Sequence, residues 1–151
     1  MDSIHDYCEQ LSIGSLVQCT FEDGKRLILP VRGLRMAPEK EVLVAVPDSV
    51  KSPMIDCLPA TITEETLKRL GFSEGLIYED KNTEFEIIIK HPLKLIIQKV
   101  TNGERFYNIF LSKISETEDE SQFFFVSRAR YLFKIQDIYR TFANKPLVWK
   151  R

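Results

Sequence analysis

The chain has little of what catalytic, secreted or membrane-spanning proteins depend on. Histidine, the commonest general base, occurs only as His5 and His91 in 151 residues. Neither a Gly-x-x-x-x-Gly-Lys-Ser/Thr loop nor a Gly-x-Gly-x-x-Gly or Gly-x-Ser-x-Gly turn is present, so the common phosphate cradles and nucleophile elbow are excluded. The apolar runs, such as Phe85 to Ile89 and Leu93 to Ile97, are far too short for a membrane-spanning helix and are broken by charge. The opening Met-Asp-Ser-Ile-His-Asp lacks the basic and apolar regions of a secretory signal, which leads us to expect a cytoplasmic protein. A basic excess is missing too. The net charge is −1, whereas duplex-binding proteins draw affinity from phosphate neutralisation. No repeat period of solenoid length is found.

Cysteine is scarce and odd in number. Cys8, Cys19 and Cys57 cannot all pair within one chain, which points to reduced thiols. His5, Cys8, Cys19 and Cys57 carry zinc-type donors, but their spacing fits no compact knuckle. Buried small hydrophobes are the better reading, and no metal is expected.

What is present suits a globular core. Hydrophobic residues make up 44% of the chain and charged residues 28%, with ten Phe and five Tyr. At this length a single domain over residues 1–151 can bury enough surface without staples. Within it we expect a β-rich subregion at 12–58 and an α+β subregion at 59–151. Ile4 to Leu11 is a helical turn or an arm. Leu16-Val17-Gln18-Cys19-Thr20-Phe21 and Arg26-Leu27-Ile28-Leu29 flank Asp23-Gly24, a strong hairpin signal. Pro30 cannot donate to a ladder, so its strand lies at an edge or bends there. A turn at 36–40 and a short strand at 42–46 follow. Together these predict a small barrel or curled sheet.

Thr63 is a good N-cap, with Glu64 and Glu65 in the first turn and Lys68 and Arg69 in the last. Gly71 then suits a left-handed cap, with Phe72 folding back on Leu67. Residues 76–100 and 106–114 read as strands, with the hairpin dipeptide Asn102-Gly103 between the last two. An acidic loop at 115–122 carries four carboxylates. Phe123-Phe124-Phe125-Val126 is a short strand or a buried lead-in. Leu132, Ile135, Tyr139 and Phe142, widened by Tyr131, Phe133 and Ile138, predict an amphipathic helix over about 127–143. Asn144 provides its cap, and residues 147–149 add a strand or tuck back. The fold class is therefore α+β: a curled N-terminal sheet, a short capped helix, a second antiparallel β region and a C-terminal amphipathic helix.

Few residues suggest chemistry. His91, in Lys90-His91-Pro92, fits a solvated turn, and His5 with Cys8 lies near a terminus where a nucleophile pair would be poorly held. Glu64 and Glu65 are explained by the helix N-terminus, and Glu84 and Glu86 share the face opposite Phe85. No catalytic residue and no cofactor are expected, and the chain reads as a non-enzyme. The candidate partner-binding residues are Arg128, Arg130, Tyr131, Phe133, Lys134 and Arg140, where cations alternate with aromatics on the predicted last helix. Such a mixture can grip nucleic acid through phosphates and stacking. A solvated helix face over an aromatic core is the favoured alternative, and the acidic loop upstream opposes nucleic acid.

Three stretches carry a resemblance. Leu11-Ser12-Ile13-Gly14-Ser15-Leu16-Val17 is similar to L-R-I-G-N-L-V. The run from Leu58 through Thr63-Glu64-Glu65-Thr66-Leu67 to Gly71-Phe72 is similar to I-P-L-T-E-E-x-L-x-K-x-G-F. The run from Phe133 through Ile135-Gln136-Asp137-Ile138-Tyr139 to Leu147 is similar to L-Q-N-L-Y-F-A-L-T-G-K-E-L. In this order they resemble a group of small uncharacterised proteins of Bacteroidetes-type bacteria, their prophages and phages. Phe133 stands where that group often has His, and Asn144 where it has Gly. The matched residues are caps, turns and core positions, so the resemblance implies a fold and no activity. The leading expectation is a protein-interaction module encoded by a phage or mobile element, binding a host or virion protein. A nucleic-acid or nucleotide binder is the alternative. The natural hot spot of the interaction module would be Phe123, Phe124 and Phe125, or Tyr131 with Phe133, since aromatics and Arg dominate binding energy. Oligomeric state is left open.

Overall fold

The computed structural model describes residues 4–35, 41–76, 83–100, 105–113 and 122–150. They fall into two units, one formed by residues up to 61 together with 131–133, the other by 62–130 and 134 onward. The fold is α+β, as the sequence predicts.

The first unit begins with a 3-10 turn at Ile4–Tyr7. Four antiparallel strands follow: β1 (Leu16–Phe21), β2 (Arg26–Arg35), β3 (Glu41–Val44) and β4 (Met54–Pro59), in the spatial order β3-β2-β1-β4. The β1–β2 hairpin turns at Asp23-Gly24. Gly24 takes φ 88, and the Lys25 amide donates to Asp23 Oδ1 at 3.0 Å. Alternation along β1 sends Val17, Cys19 and Phe21 inward, where they join Leu11, Leu29, Val31 and Phe133 in one cluster. Of the two roles open to Pro30, edge or bend, the bend is found. The strand is interior, and its β1 ladder ends at Pro30 opposite Leu16. The β2–β3 register then slips between Val31 and Gly33. A second slip, between Thr20 and Phe21 against β4, adds to the curl.

The second unit opens with α1 (Glu64–Arg69), whose ends are specified locally. Thr63 Oγ1 accepts from the Thr66 amide at 3.1 Å while Thr66 Oγ1 accepts from the Thr63 amide at 2.8 Å, a reciprocal capping box. At the other end Gly71 lies at φ 94. The Phe72 amide donates to the Leu67 carbonyl and the Gly71 amide to that of Lys68, both at 3.0 Å, the Schellman pattern. A five-stranded antiparallel meander follows in chain order: β5 (Ser73–Leu76), β6 (Thr83–Lys90), β7 (Leu93–Lys99), β8 (Tyr107–Lys113) and β9 (Gln122–Ala129). The Asn102-Gly103 turn, the turn at 36–40 and the acidic loop at 115–121 lie outside the described residues. β7 and β8 do pair antiparallel, from Leu93 opposite Lys113 to Lys99 opposite Tyr107.

One face of this sheet is core. Phe85, Ile97 and Ile109 occupy one cross-strand row, with Leu95 in the next, and all are buried. A Cβ on Gly71 would sit 3.7 Å from Ile87 Cδ1, which places the end of α1 against this face. Tyr107, on the same face, has its phenol pushed above its ordinary value by burial and then by the carboxylate of Glu64.

The last helix, α2, spans Leu132–Ala143, not the predicted 127–143. Residues 122–129 belong to β9, whose amides and carbonyls are committed to β8. The 3.6-residue stripe that predicted the helix is real but begins at Leu132. Ile135, Ile138 and Tyr139 are buried, whereas Phe142, in the final turn, is exposed. Asn144 caps it at φ 55. Residues 147–149 form no strand. The tail instead runs beside α1, where the Arg69 guanidinium lies 4.8 Å from the Trp149 ring centroid. Arg69 also exchanges two hydrogen bonds with the Lys150 backbone, at 2.8 and 3.1 Å.

Two predictions follow from these local geometries. Thr63→Ala should cost about 1 kcal/mol of unfolding free energy, and Gly71→Ala roughly 1–2 kcal/mol because of the left-handed backbone. Chemical denaturation measures both. Cys19 and Cys57 are directly opposed across β1 and β4, with Sγ atoms 3.9 Å apart. Opposed antiparallel positions fall in the Cα range that a disulfide spans. A diazene oxidant should therefore remove two of the three thiols and give a peptide map joining Cys19 to Cys57. A bridge to Cys8 would contradict this register.

Candidate partner-binding surface

The expected site residues do not share a helix. Arg128 is on β9, exposed, its Nε 3.3 Å from Asn108 Oδ1. Arg130 follows the strand, half-buried, its carbonyl accepting from the Ile62 amide at 2.9 Å. Lys134 and Arg140 are exposed on α2, and Arg140 is paired with Asp137 at 2.7 Å. Tyr131 and Phe133 belong to the first unit. Their rings stack at 5.9 Å, and Tyr131 meets Tyr7 edge-on with the phenol oxygens 3.2 Å apart. Phe133 is only 4% exposed, so as a partner-facing hot spot it is corrected to a core residue. Its aromatic surface is spent on the cluster around Val17 and Leu29. The cation–aromatic alternation of the sequence thus dissolves into a strand, a bend, a core and a helix.

The other expected hot spot assembles differently. Residues directly opposed in an antiparallel ladder share a face. The registers therefore define three rows across β6 to β9 on the face opposite the core: Glu86–Ile96–Phe110–Phe125, then Ile88–Lys94–Ser112–Phe123, then Glu84–Gln98–Asn108–Arg128. Phe123 and Phe125 are 57% and 60% exposed, and Ile88 is 59% exposed. Phe125 packs edge-on against Phe110 with centroids 5.7 Å apart. Ile96, although on this outer face, is buried beneath its neighbours. The result is an apolar band, from Ile88 and Ile96 to Phe123 and Phe125, flanked by charge.

The flanking charges are partly compensated. Lys94 Nζ lies 2.9 Å from Glu86 Oε2. Glu84 has its carboxyl pushed above the ordinary value, chiefly by burial and next by the Glu86 carboxylate, with Lys94 acting in the opposite sense. Ser112 is 1% exposed, and its Oγ has no hydrogen-bond partner among the described residues. Such a group costs energy unless it is satisfied.

β9 is also the edge of the sheet. Phe124 points to the core side, in the Ile87–Leu95–Leu111–Phe124 row, yet is 55% exposed. Both faces of the strand are therefore open at its first half. Sequence reading named residues 123–125 but missed Ile88, Ile96 and Phe110, each an apolar residue among polar ones on the outer face of β6, β7 or β8, which only the cross-strand registers bring together. Among the described residues no three His, Cys, Asp or Glu side chains are grouped to hold a metal ion. No helix among them is long and apolar enough to cross a membrane. Comparison with protein-family models, curated proteins and solved structures finds no significant match to this chain.

A raised carboxyl value means that ionised Glu84 costs the fold, a cost that is absent at acid pH and grows as the group deprotonates. Glu84→Gln should raise the melting temperature at neutral pH by about 1–2 °C. The gain should vanish below about pH 4, where the carboxyl is protonated in both states. Calorimetry across that range checks the sign.

Proposed function

We propose that this chain is a non-enzymatic protein-interaction module that binds a host or virion protein through β9 and the outer face of the second sheet. The observation that carries the reading is the run of three consecutive phenylalanines at a sheet edge, each more than half exposed. Rings that keep more than half of their surface in water on both faces of one strand add less to the core than buried ones do. Aromatic anchors of this kind supply most of the energy at protein interfaces. Long hydrophobic edges are otherwise avoided because they invite pairing. Origin in a phage or mobile element is part of the proposal and rests on the resemblance of the residues around Leu11, Thr63 and Tyr139.

A nucleic-acid reading has less support. It needs aromatic platforms beside unengaged cations. Of the candidate residues, Phe133 is buried, Arg140 is ion-paired, Arg128 contacts Asn108, and Glu84 and Glu86 share the exposed sheet face.

The test compares capture from host lysate by the wild-type chain, by Phe123→Ser/Phe125→Ser and by Lys134→Ala/Arg140→Ala. The paired phenylalanine variant should lose at least tenfold in recovery of a specific partner, and the paired cation variant should retain it. Equal recovery by the phenylalanine variant would place the contact elsewhere. If single-stranded oligonucleotide binding fell steeply with salt and depended on Lys134 and Arg140, the nucleic-acid reading would replace this one.

A further inference from the structure

We propose that Cys57 and Cys19 form a hydroperoxide-reactive dithiol. A peroxide oxidises Cys57 at the sheet edge, and Cys19 closes the product as a disulfide that ties β4 to β1.

The backbone sets the geometry. The Ala60 amide donates to the Leu16 carbonyl at 3.2 Å, one step beyond the β1–β4 pair Val17–Pro59. Hydrogen-bonded and non-hydrogen-bonded pairs alternate along an antiparallel ladder. Leu16–Ala60 is of the bonded kind, so Val17–Pro59 and Cys19–Cys57 are of the other. Pro59, which has no amide proton, fits that assignment. In such a pair the Cys57 amide faces away from β1, and it donates to Asp56 Oδ1 at 2.9 Å. Non-hydrogen-bonded partners have Cα atoms about 4.5 Å apart and the closest side chains, within the span of a disulfide. The Sγ atoms are already 3.9 Å apart. Closing the bond therefore needs rotation of the two thiols and little movement of either strand.

Access divides the roles. Cys8 and Cys19 are buried, whereas Cys57 is half-buried on β4, an edge strand of the first sheet. The reactive thiol of a redox-sensing pair is one that solvent reaches, beside a second cysteine that resolves it. Cys57 has that access and Cys19 stands next to it. Cys8 has no such access.

The contact between the sulfurs also handles the proton. Donation from the Cys57 thiol draws the Cys19 thiol below its ordinary value, against burial and the Asp56 carboxylate. The same hydrogen bond, with burial next, pushes the Cys57 thiol up. The ionised pair thus holds its charge on Cys19 and its remaining proton on Cys57. As the Cys57 sulfur attacks one oxygen of a hydroperoxide, its proton passes to the Cys19 thiolate and the O–O bond breaks. Cys57 becomes a sulfenic acid, and the other oxygen leaves as an alkoxide that takes a proton from solvent. The Cys19 sulfur then forms the S–S bond, displacing hydroxide, which carries off the Cys19 proton as water. Two thiols and one hydroperoxide give a disulfide, an alcohol and water, with sulfur oxidised by two electrons and the peroxide reduced by two. Two equivalents of an external thiol, the first attacking at Cys57, reopen the bond and leave as their own disulfide.

The full chain, reduced and then treated with a small excess of hydrogen peroxide, should lose two of its three thiols and map as Cys19 joined to Cys57. The oxidised chain should melt about 5–10 °C higher, because the bond restricts the unfolded state. Glutathione should restore the thiols and the lower melting temperature. Cys57→Ser should leave Cys19 and Cys8 reduced. Cys19→Ala should stop at the sulfenic acid, trapped by dimedone at Cys57 at least tenfold faster than at Cys8. The proposal is overturned by three thiols that survive the treatment, by a bridge that glutathione does not open, or by an oxidised chain that melts no higher. Undiminished oxidation of Cys19 in Cys57→Ser, or dimedone on Cys8 as fast as on Cys57, would overturn it as well. Wild-type mapping and Cys57→Ser, a change at a half-buried edge position, keep the test decisive should Cys19→Ala fail to fold.

Discussion

Side chains on a strand alternate with a period of two, and the β8–β9 ladder sets the phase of that alternation for the most exposed part of the molecule. With Phe110 opposite Phe125, both rings and that of Phe123 are assigned to the outer face, and Phe124 to the other. A shift of one residue would exchange those assignments along the whole strand. The extra residue at Val126 resets the phase, so that Arg128 returns to the same face as Phe123 and Phe125. The apolar band, its charged end and the open edge all follow from that register.

The two units differ in where their aromatic residues meet one another. In the first, Tyr7, Tyr131 and Phe133 form a small aromatic stack at the margin of a core built from aliphatic residues, cysteine and Phe21. In the second, Phe85 and Tyr107 join Leu and Ile on the core face, while Phe110, Phe123 and Phe125 lie on the outer face. Composition alone, with ten phenylalanines, cannot separate these uses. The distinction lies in the register and in which element covers which face.

What could be read from the residues was what is decided locally. The Thr63 cap, the Gly71 stop, the Asp23-Gly24 turn and the Asn144 cap depend on a few neighbouring atoms, and each was predictable from chain order. Even there Thr66 went unnoticed as the second half of the capping box, because Gln or Glu is the usual residue at that position. Residues 127–131 went to the wrong element for a different reason. Their spacing is compatible with both periods, and pairing with β8, a long-range event, decided between them. Pro30 is similar: its missing donor was legible, but whether that meant an edge or an interior bend depended on β3. The candidate site was half legible. Phe123, Phe124 and Phe125 could be named, whereas their neighbours Ile88 and Phe110 become visible only once the rows are aligned.

The tail beside α1 has a consequence for spectroscopy. Trp149 is the sole tryptophan of the chain, and its ring lies against the Arg69 guanidinium at the end of a two-turn helix. Its emission therefore senses the docking of the last residues on α1, with a cation over the indole face as the local environment. Neither sheet contributes an indole of its own. A fluorescence transition in this protein would mark release of the tail, and it coincides with loss of the cores only where peeling and global unfolding are one event.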